Sequence, residues 1–318
     1  MTLDLDWDDG QQAIAGSVAA FCAERFDDEA GRQLAGEFPA ALWRALAELG
    51  VFGVAAPEGE GGASELVAAV EPLGRATFPG PLAATFLAMQ VLDEPERDRV
   101  AMGELIVAAG EPPLLPFAPC AQVFLEVEGD RVFRARLVGR VETVRVLGGE
   151  PWGRAPCVRE RELPGAARGL LLSQLVVSAQ LAAMGAKLVE DAARYAGDRR
   201  QFGRPIGAFQ AVAHPLADST IALTSASALT RAAACRFDAG EMERAEFLAA
   251  AAWSSASRAA VEASYLCHQV FGAIGITIEG PAFRLSRRIR QLASQPPGAA
   301  RARARVSRAL GLAGGVAA

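Results

Sequence analysis

The chain has 318 residues, 51% of them apolar, with a formal net charge of -5 and a pI near 5.3. That length and composition predict two or three packed units around a large core and exclude a disordered chain. The acidic balance argues against a nucleic-acid partner, which needs a basic excess.

The acidic N-terminus MTLDLDWDDG does not read as a signal peptide. No uncharged apolar run is read as reaching the roughly 18 residues of a membrane span, so the expectation is no membrane and a cytoplasmic protein. Five cysteines (Cys22, Cys120, Cys157, Cys235, Cys267) are scattered without CxxC spacing. They predict no metal site, no disulfide framework and a reducing compartment.

Residues 1–103 read as a helical domain. Ile14, Val18, Phe21 and Cys22 fall at helical spacing within Gln11 to Phe26. Pro39 opens a second helix and Gly50 stops it, as the preference for proline at the start and glycine past the end predicts. The loop PEGEGG (57–62) leads into a helix from Ser64.

Residues 104–167 change character. QVFLEV, RVFRARLV and RVETVRVL alternate apolar and charged residues between Gly-Asp and Gly-Gly turns. This is the period-two pattern of strands, and it predicts a small antiparallel β domain.

Residues 168–318 return to helices. Leu171, Leu175, Ala179, Ala182, Ala186, Val189 and Ala193 recur every three or four residues. A helix over 170–198 would be about 43 Å long at 1.5 Å per residue. Further helices are expected over 208–237, 241–271 and 280–312, the last broken at Pro296-Pro297. Together they predict a four-helix bundle. The arginines from Arg284 to Arg308 make its last helix strongly basic; the choices are a solvated face, an acidic partner or a phosphate ligand. Lys187 is the single lysine.

Three segments then carry a resemblance. RYAGDRRQFGRPIGAFQAVAHPLAD (194–218) resembles the acyl-CoA dehydrogenase pattern of Arg, two residues and Phe-Gly, followed by Phe-Gln and Leu-Ala-Asp/Glu. HQVFGAIGITIEGPAFRLSRRIR (268–290) is similar to that family's Gln-x-x-Gly-Gly-x-Gly segment and the basic helix after it. LWRALAELGVFGVAAPEGEGG (42–62) is similar to its N-terminal helix and Pro-Glu-x-x-Gly-Gly loop. With the α-β-α order, the resemblance covers nearly the whole chain.

The resemblance implies an N-terminal helical domain, a β domain and a C-terminal four-helix bundle, with FAD as cofactor and an acyl-CoA as substrate. In the family the first two segments hold the ADP half of an FAD seated mainly in a neighbouring subunit. Here that role falls on Arg199, Phe202, Gln210, Gln269 and Gly272. The arginine fork suits a pyrophosphate, and a glycine turn lets backbone amides approach an anion.

The family's general base is absent. In most members it is a Glu in Tyr-Glu-Gly, and that position is Pro296 here; in others it opens the first bundle helix, and that position is Ser173. Neither side chain takes a proton alone, and the two histidines, His214 and His268, read as packed or capping residues. The β domain is also truncated. AAGEPPLLPF (108–117) keeps a trace of the Thr-Glu-Pro-x-x-Gly-Ser segment, and Trp152 does not sit in a Trp-Ile-Thr/Ser segment. Arg287-Arg288 replaces an Arg-Asp pair, and Ala273 the second Gly of Gly-Gly.

The losses fall on parts that act within one chain, and the retained parts reach across an interface. By resemblance this implies the non-catalytic subunit of a heteromeric acyl-CoA dehydrogenase, as in the family's actinobacterial steroid-degrading branch. A longer subunit would carry the Glu in an α2β2 assembly, with electron-transfer flavoprotein as acceptor and a steroid side-chain CoA thioester as substrate. Two alternatives stay open: a self-sufficient enzyme with its base relocated to Glu279, Asp218 or Glu190, and a flavin-free scaffold on the same fold.

Overall fold

The computed structural model describes residues 5–26, 30–31, 34, 37–296 and 298–312. Pro297, one half of the expected helix break, lies outside them.

Among the described residues the chain opens on helices that include α1 (Asp9–Arg25), α2 (Ala40–Glu48), α3 (Ala63–Arg75), α4 (Leu82–Val91) and α5 (Glu94–Ala101). Asp8 starts α1 by accepting from the Gln11 amide at 2.8 Å, and the Gln11 side chain accepts from the Asp8 amide at 3.2 Å. This reciprocal pair satisfies two orphan N–H groups. Gly50, at φ 76°, ends α2 in the left-handed region. The N-terminus of α3 is capped by a residue far away in sequence. Asp238 accepts from the amides of Ala63 and Ser64 at 2.7 and 2.9 Å and from Ser64 Oγ at 2.7 Å. A Cβ on Gly62 would stand 2.4 Å from Asp238 Oδ1, so the PEGEGG loop needs its last glycine for this approach.

Seven strands follow in two sheets: β1 (Val107–Gly110), β2 (Leu114–Pro116), β3 (Val123–Glu128), β4 (Arg131–Leu137), β5 (Glu142–Val144), β6 (Trp152–Arg154) and β7 (Cys157–Glu162). One sheet has the order β1-β3-β4-β7 and the other β2-β6-β5. The expectation of an antiparallel unit needs one correction, because β1 pairs with β3 in parallel. Between these two strands the chain crosses to the other sheet to form β2, and that excursion lets β3 return in the same direction as β1. Gly129, at φ 62°, makes the tight turn between β3 and β4.

The rest is helical: α6 (Ala166–Asp198), a short hairpin of β8 (Arg200–Gln201) and β9 (Arg204–Pro205), α7 (Gln210–Asp238), α8 (Met242–Phe271), α9 (Pro281–Ala293) and α10 (Gly298–Ala309). Helices α6 to α9 form the bundle, and α10 packs on α8. Small residues set the spacing. A Cβ on Gly185 of α6 would lie 3.3 Å from the Ala260 Cα and 2.5 Å from a Leu223 methyl. One on Gly74 of α3 would lie 2.9 Å from the Gln180 Cα, so the N-terminal helices dock closely on α6.

The expectation that no uncharged run reaches about 18 residues also needs correction. Gly169 to Ala186 is uncharged, and α6 is long and apolar enough by composition to cross a bilayer. That stretch is 78% buried inside the fold, because α6 is the central helix that every neighbour packs against.

Candidate functional site

The Arg-x-x-Phe-Gly segment follows the end of α6. Arg199 donates its backbone N–H to the Tyr195 carbonyl at 2.9 Å, and its own carbonyl accepts from Ile206 at 2.8 Å. Between them the β8–β9 hairpin turns on two residues, Phe202 at φ 53° and Gly203 at φ 82°. A two-residue hairpin of this hand needs left-handed backbone at both positions, where Asn-Gly is the usual choice. A phenylalanine there is strained by about 1–3 kcal/mol. Its ring is 92% exposed and meets Phe209 edge-on at 6.1 Å, and Arg204 stacks on the other aromatic at 4.0 Å. Gln210 begins α7 directly after.

Tyr195 packs its ring 5.2 Å from Phe271, the last residue of α8. That contact brings the second segment to the same end of the bundle. Gln269 lies in the last turn of α8, and Gly272, at φ 63°, ends the helix by donating to His268. Arg199, Phe202, Gln210, Gln269 and Gly272 are all exposed there. The set combines a cation, a first helical turn with its outward amides and a glycine turn, chemistry suited to an anionic dinucleotide reached from outside. His268 donates or accepts through Nε2 with Ser286 Oγ at 2.8 Å, fastening α8 to α9, whereas His214 is exposed rather than packed.

The two base positions lie elsewhere. Ser173 on α6 and Pro296 after α9 line one open-mouthed cavity of about 340 Å³ among α4, α6, α8, α9, α10 and the β1 edge. Its interior is mainly apolar, with Leu87, Val177 and Leu292 among its walls. The acids that line it among the described residues are Glu111 and Asp130, both at the rim. Glu111 accepts from Arg301 at 3.3 Å and Asp130 lies 3.6 Å from Arg305; both pairs are solvent-exposed and weak. Sequence reasoning missed Glu111 as a cavity residue, although it stands in the trace of the Thr-Glu-Pro segment.

None of the three candidate relocated carboxylates lines the cavity. Glu190 is held on the outside of α6 by Arg75 at 2.5 and 2.9 Å. That hydrogen-bonded guanidinium keeps the Glu190 carboxyl below its ordinary range, which is the wrong direction for a base poised near neutrality. Asp218 and Glu279 are exposed.

The Arg287-Arg288 departure has a structural counterpart. Arg287 donates to the Leu147 carbonyl at 2.5 Å, and Arg288, buried in the cavity wall, pairs with Glu150 from the loop before β6. The carboxylate missing from the helix arrives from the β unit instead. Burial pushes the Arg288 guanidinium down to about 9, which is still above neutrality.

Comparison with known proteins gives the following. The model of the acyl-CoA dehydrogenase N-terminal domain matches residues 8–94, and that of the C-terminal domain matches residues 165–294. The chain is 32% identical over 313 residues to the acyl-CoA dehydrogenase FadE34 of Mycobacterium tuberculosis, covering 88% of this chain and 43% of that one. It thus spans under half the length of that relative. It is 27% identical over 254 residues to the acyl-CoA dehydrogenase IpdE2 of Mycolicibacterium smegmatis, covering 75% and 78%. Among solved structures it is similar to the ChsE4-ChsE5 complex from Mycobacterium tuberculosis, with a TM-score of 0.83 and 24% identity over 98% of this chain and 100% of that one. It is also similar to a Tcur3481-Tcur3483 steroid ACAD variant, with a TM-score of 0.82 and 22% identity over 96% and 99%. PigA with FAD and proline has a TM-score of 0.83 at 20% identity over 98% and 100%. At these identities the structural likeness shows a shared fold.

Proposed function

The chain belongs to the acyl-CoA dehydrogenase family, and from that premise we propose that it is the non-catalytic subunit of a heteromeric, FAD-dependent acyl-CoA dehydrogenase. The observation that carries this reading is the cavity itself, whose two base positions are Ser173 and Pro296 and whose acids stand only at its rim.

In this reading a longer family member carries the Glu and seats the flavin ring, in an α2β2 assembly within the cytoplasm. This chain's part is to clamp the ADP half of that FAD. Arg199 offers a charged fork to the pyrophosphate, Phe202 reaches across the interface, and Gln210, Gln269 and Gly272 complete the contact from the end of the bundle. Two features support an outward-facing clamp: the exposure of all five residues, and the strain retained at Phe202, which a hairpin tip with no partner would not need. When bound, FAD supplies the hydride acceptor for α,β-desaturation of an acyl-CoA, and electron-transfer flavoprotein would reoxidise it.

The substrate proposed is a steroid side-chain CoA thioester. The description of one structural neighbour as a steroid ACAD supports that choice, and that of another as a complex of two chains supports the heteromeric assembly. The experiment is co-expression with the longer family member that carries the Glu. The expected result is a colourless, inactive chain alone and one flavin per heterodimer in an active complex. A yellow, active enzyme from this chain alone would end the proposal.

A further inference from the structure

His268 immediately precedes Gln269 on α8, and three contacts converge on it. Its carbonyl accepts the Gly272 N–H that closes the helix. A Cβ on Gly275 would stand 3.3 Å from that same oxygen and 3.4 Å from the His268 Cα, so the turn Gly272–Ile276 folds back against this residue. Its ring reaches α9, where Nε2 lies 2.8 Å from Ser286 Oγ. One residue thus carries the turn on its backbone and ties it to α9 with its side chain.

The protons available select the form of the ring. Ser286, only 4% exposed, has one hydroxyl proton and lies 3.3 Å from the Phe283 carbonyl. If Ser286 donates to that carbonyl, Nε2–H donates to Ser286 Oγ and both bonds are made. If Ser286 donates to Nε2 instead, the carbonyl bond is lost. The first arrangement leaves Nδ1 bare, and Nδ1 is buried with no partner among the described residues. An imidazolium would place a proton there with nothing to receive it, and a buried donor without an acceptor is costly. The contact to Ser286 therefore suits the neutral ring.

The charged and titratable groups around His268 are engaged elsewhere or exposed. On α8, Cys267 donates to the Leu188 carbonyl, Tyr265 lies under the Arg290 guanidinium of α9, and Glu262 is exposed. Also on α9, Arg284 and Arg287 donate to the carbonyls of Ala76 and Leu147, and Arg288 pairs with Glu150. On α6, Asp191 accepts from Lys187 and Arg194, Glu190 from Arg75, and Tyr195 packs on Phe271. The turn Gly272–Ile276 has no titratable side chain. Glu279 before α9 and His214 on α7 are exposed.

We infer that His268 is the positioning residue of the flavin clamp: its neutral ring, held by Ser286, fixes the turn that presents Gln269 and Gly272. The inference rests on the clamp reading above and adds a pH dependence to it. Histidine changes charge between pH 5 and 8, so acid removes the form that holds the turn and weakens the grip on FAD.

The test is titration of FAD into the flavin-free complex with the longer subunit, at about pH 7.5 and about pH 5.5, followed by flavin fluorescence. The wild type should bind FAD about tenfold more weakly at the lower pH. His268→Gln keeps an N–H within reach of Ser286 and does not titrate, so it should match the wild type at the higher pH and hold that affinity at the lower. His268→Ala should be weak at both, yet still take up one flavin per heterodimer at saturation, which a general loss of fold would not allow. Equal wild-type affinity at the two pH values would overturn the inference, as would full affinity in His268→Ala. A pH dependence that persists in His268→Gln belongs to another group, such as His214, and would overturn it too. Arg199→Ala separates the two readings. If it falls while His268→Ala does not, this inference alone fails; if it leaves FAD affinity unchanged, the clamp reading fails and this inference with it.

Discussion

Arg288 of α9 and Glu150 of the loop before β6 form an ion pair in which each side chain is 6% exposed. The pair ties the β unit to the bundle at the wall of the cavity. Two buried charges are costly to desolvate, so they support the fold only as a pair. Arg288→Met should destabilise the chain by about 3–5 kcal/mol, because Glu150 is left as an uncompensated buried charge. The double variant Arg288→Met with Glu150→Leu should recover most of that loss. Urea unfolding of the two single variants and the double variant measures the coupling directly; additive losses would contradict the pairing.

Asp238 should behave as a long-range cap. Its three contacts to Ala63 and Ser64 join the C-terminus of α7 to the N-terminus of α3. Asp238→Ala should cost about 1–2 kcal/mol in denaturant unfolding. Gly62→Ala should cost at least as much, since the new Cβ displaces the same carboxylate.

Phe202 should separate stability from assembly. Its ring is exposed and its backbone left-handed, so a glycine relieves the strain at the cost of only the edge contact with Phe209. Phe202→Gly should leave the unfolding free energy of the chain alone unchanged or slightly raised, by up to about 1 kcal/mol. The same variant should weaken association with the longer subunit in a pull-down titration. Equal association with a lower midpoint would reverse the assignment.

Glu65 should lend α3 a pH-dependent contribution. Burial raises its pKa, but hydrogen bonds from Gln11 at 3.0 Å and the Gly62 amide at 2.7 Å outweigh that and hold the carboxyl below its ordinary 4.5. A carboxylate depressed in the folded state stabilises above its unfolded pKa, and the benefit is lost as pH falls through the folded value. The stability gap between wild type and Glu65→Gln should therefore shrink as pH is lowered from 4.5. Urea midpoints across that range check it, and a constant gap would contradict it.

Much of this architecture was legible in the chain. Helical spacing located α6 to within a few residues of its observed Ala166–Asp198, and Gly50 ended α2 as its conformational freedom suggests. Ser173 and Pro296, 123 positions apart in sequence, line one cavity, which resemblance could only imply. Other features were hidden because they depend on distant partners. Nothing local announces that Glu150 meets Arg288 or that Asp238 caps α3. The uncharged run of α6 was passed over, and only its neighbours identify it as a core helix. The parallel β1–β3 pair escaped because period-two alternation does not encode strand direction.

The central claim is that this chain binds the cofactor's ADP half and supplies no base. Substrate-dependent bleaching of flavin absorbance, in the complex with the longer subunit, tests both parts in one assay. With Arg199→Ala in this chain, FAD affinity should fall roughly 10- to 100-fold, the loss of a charged hydrogen bond, and bleaching should return at saturating FAD. With Ser173→Ala in this chain, bleaching should be unchanged, because the proton goes to the longer subunit's Glu. Unchanged FAD affinity in the Arg199 variant, or bleaching abolished by the Ser173 variant, would contradict the account.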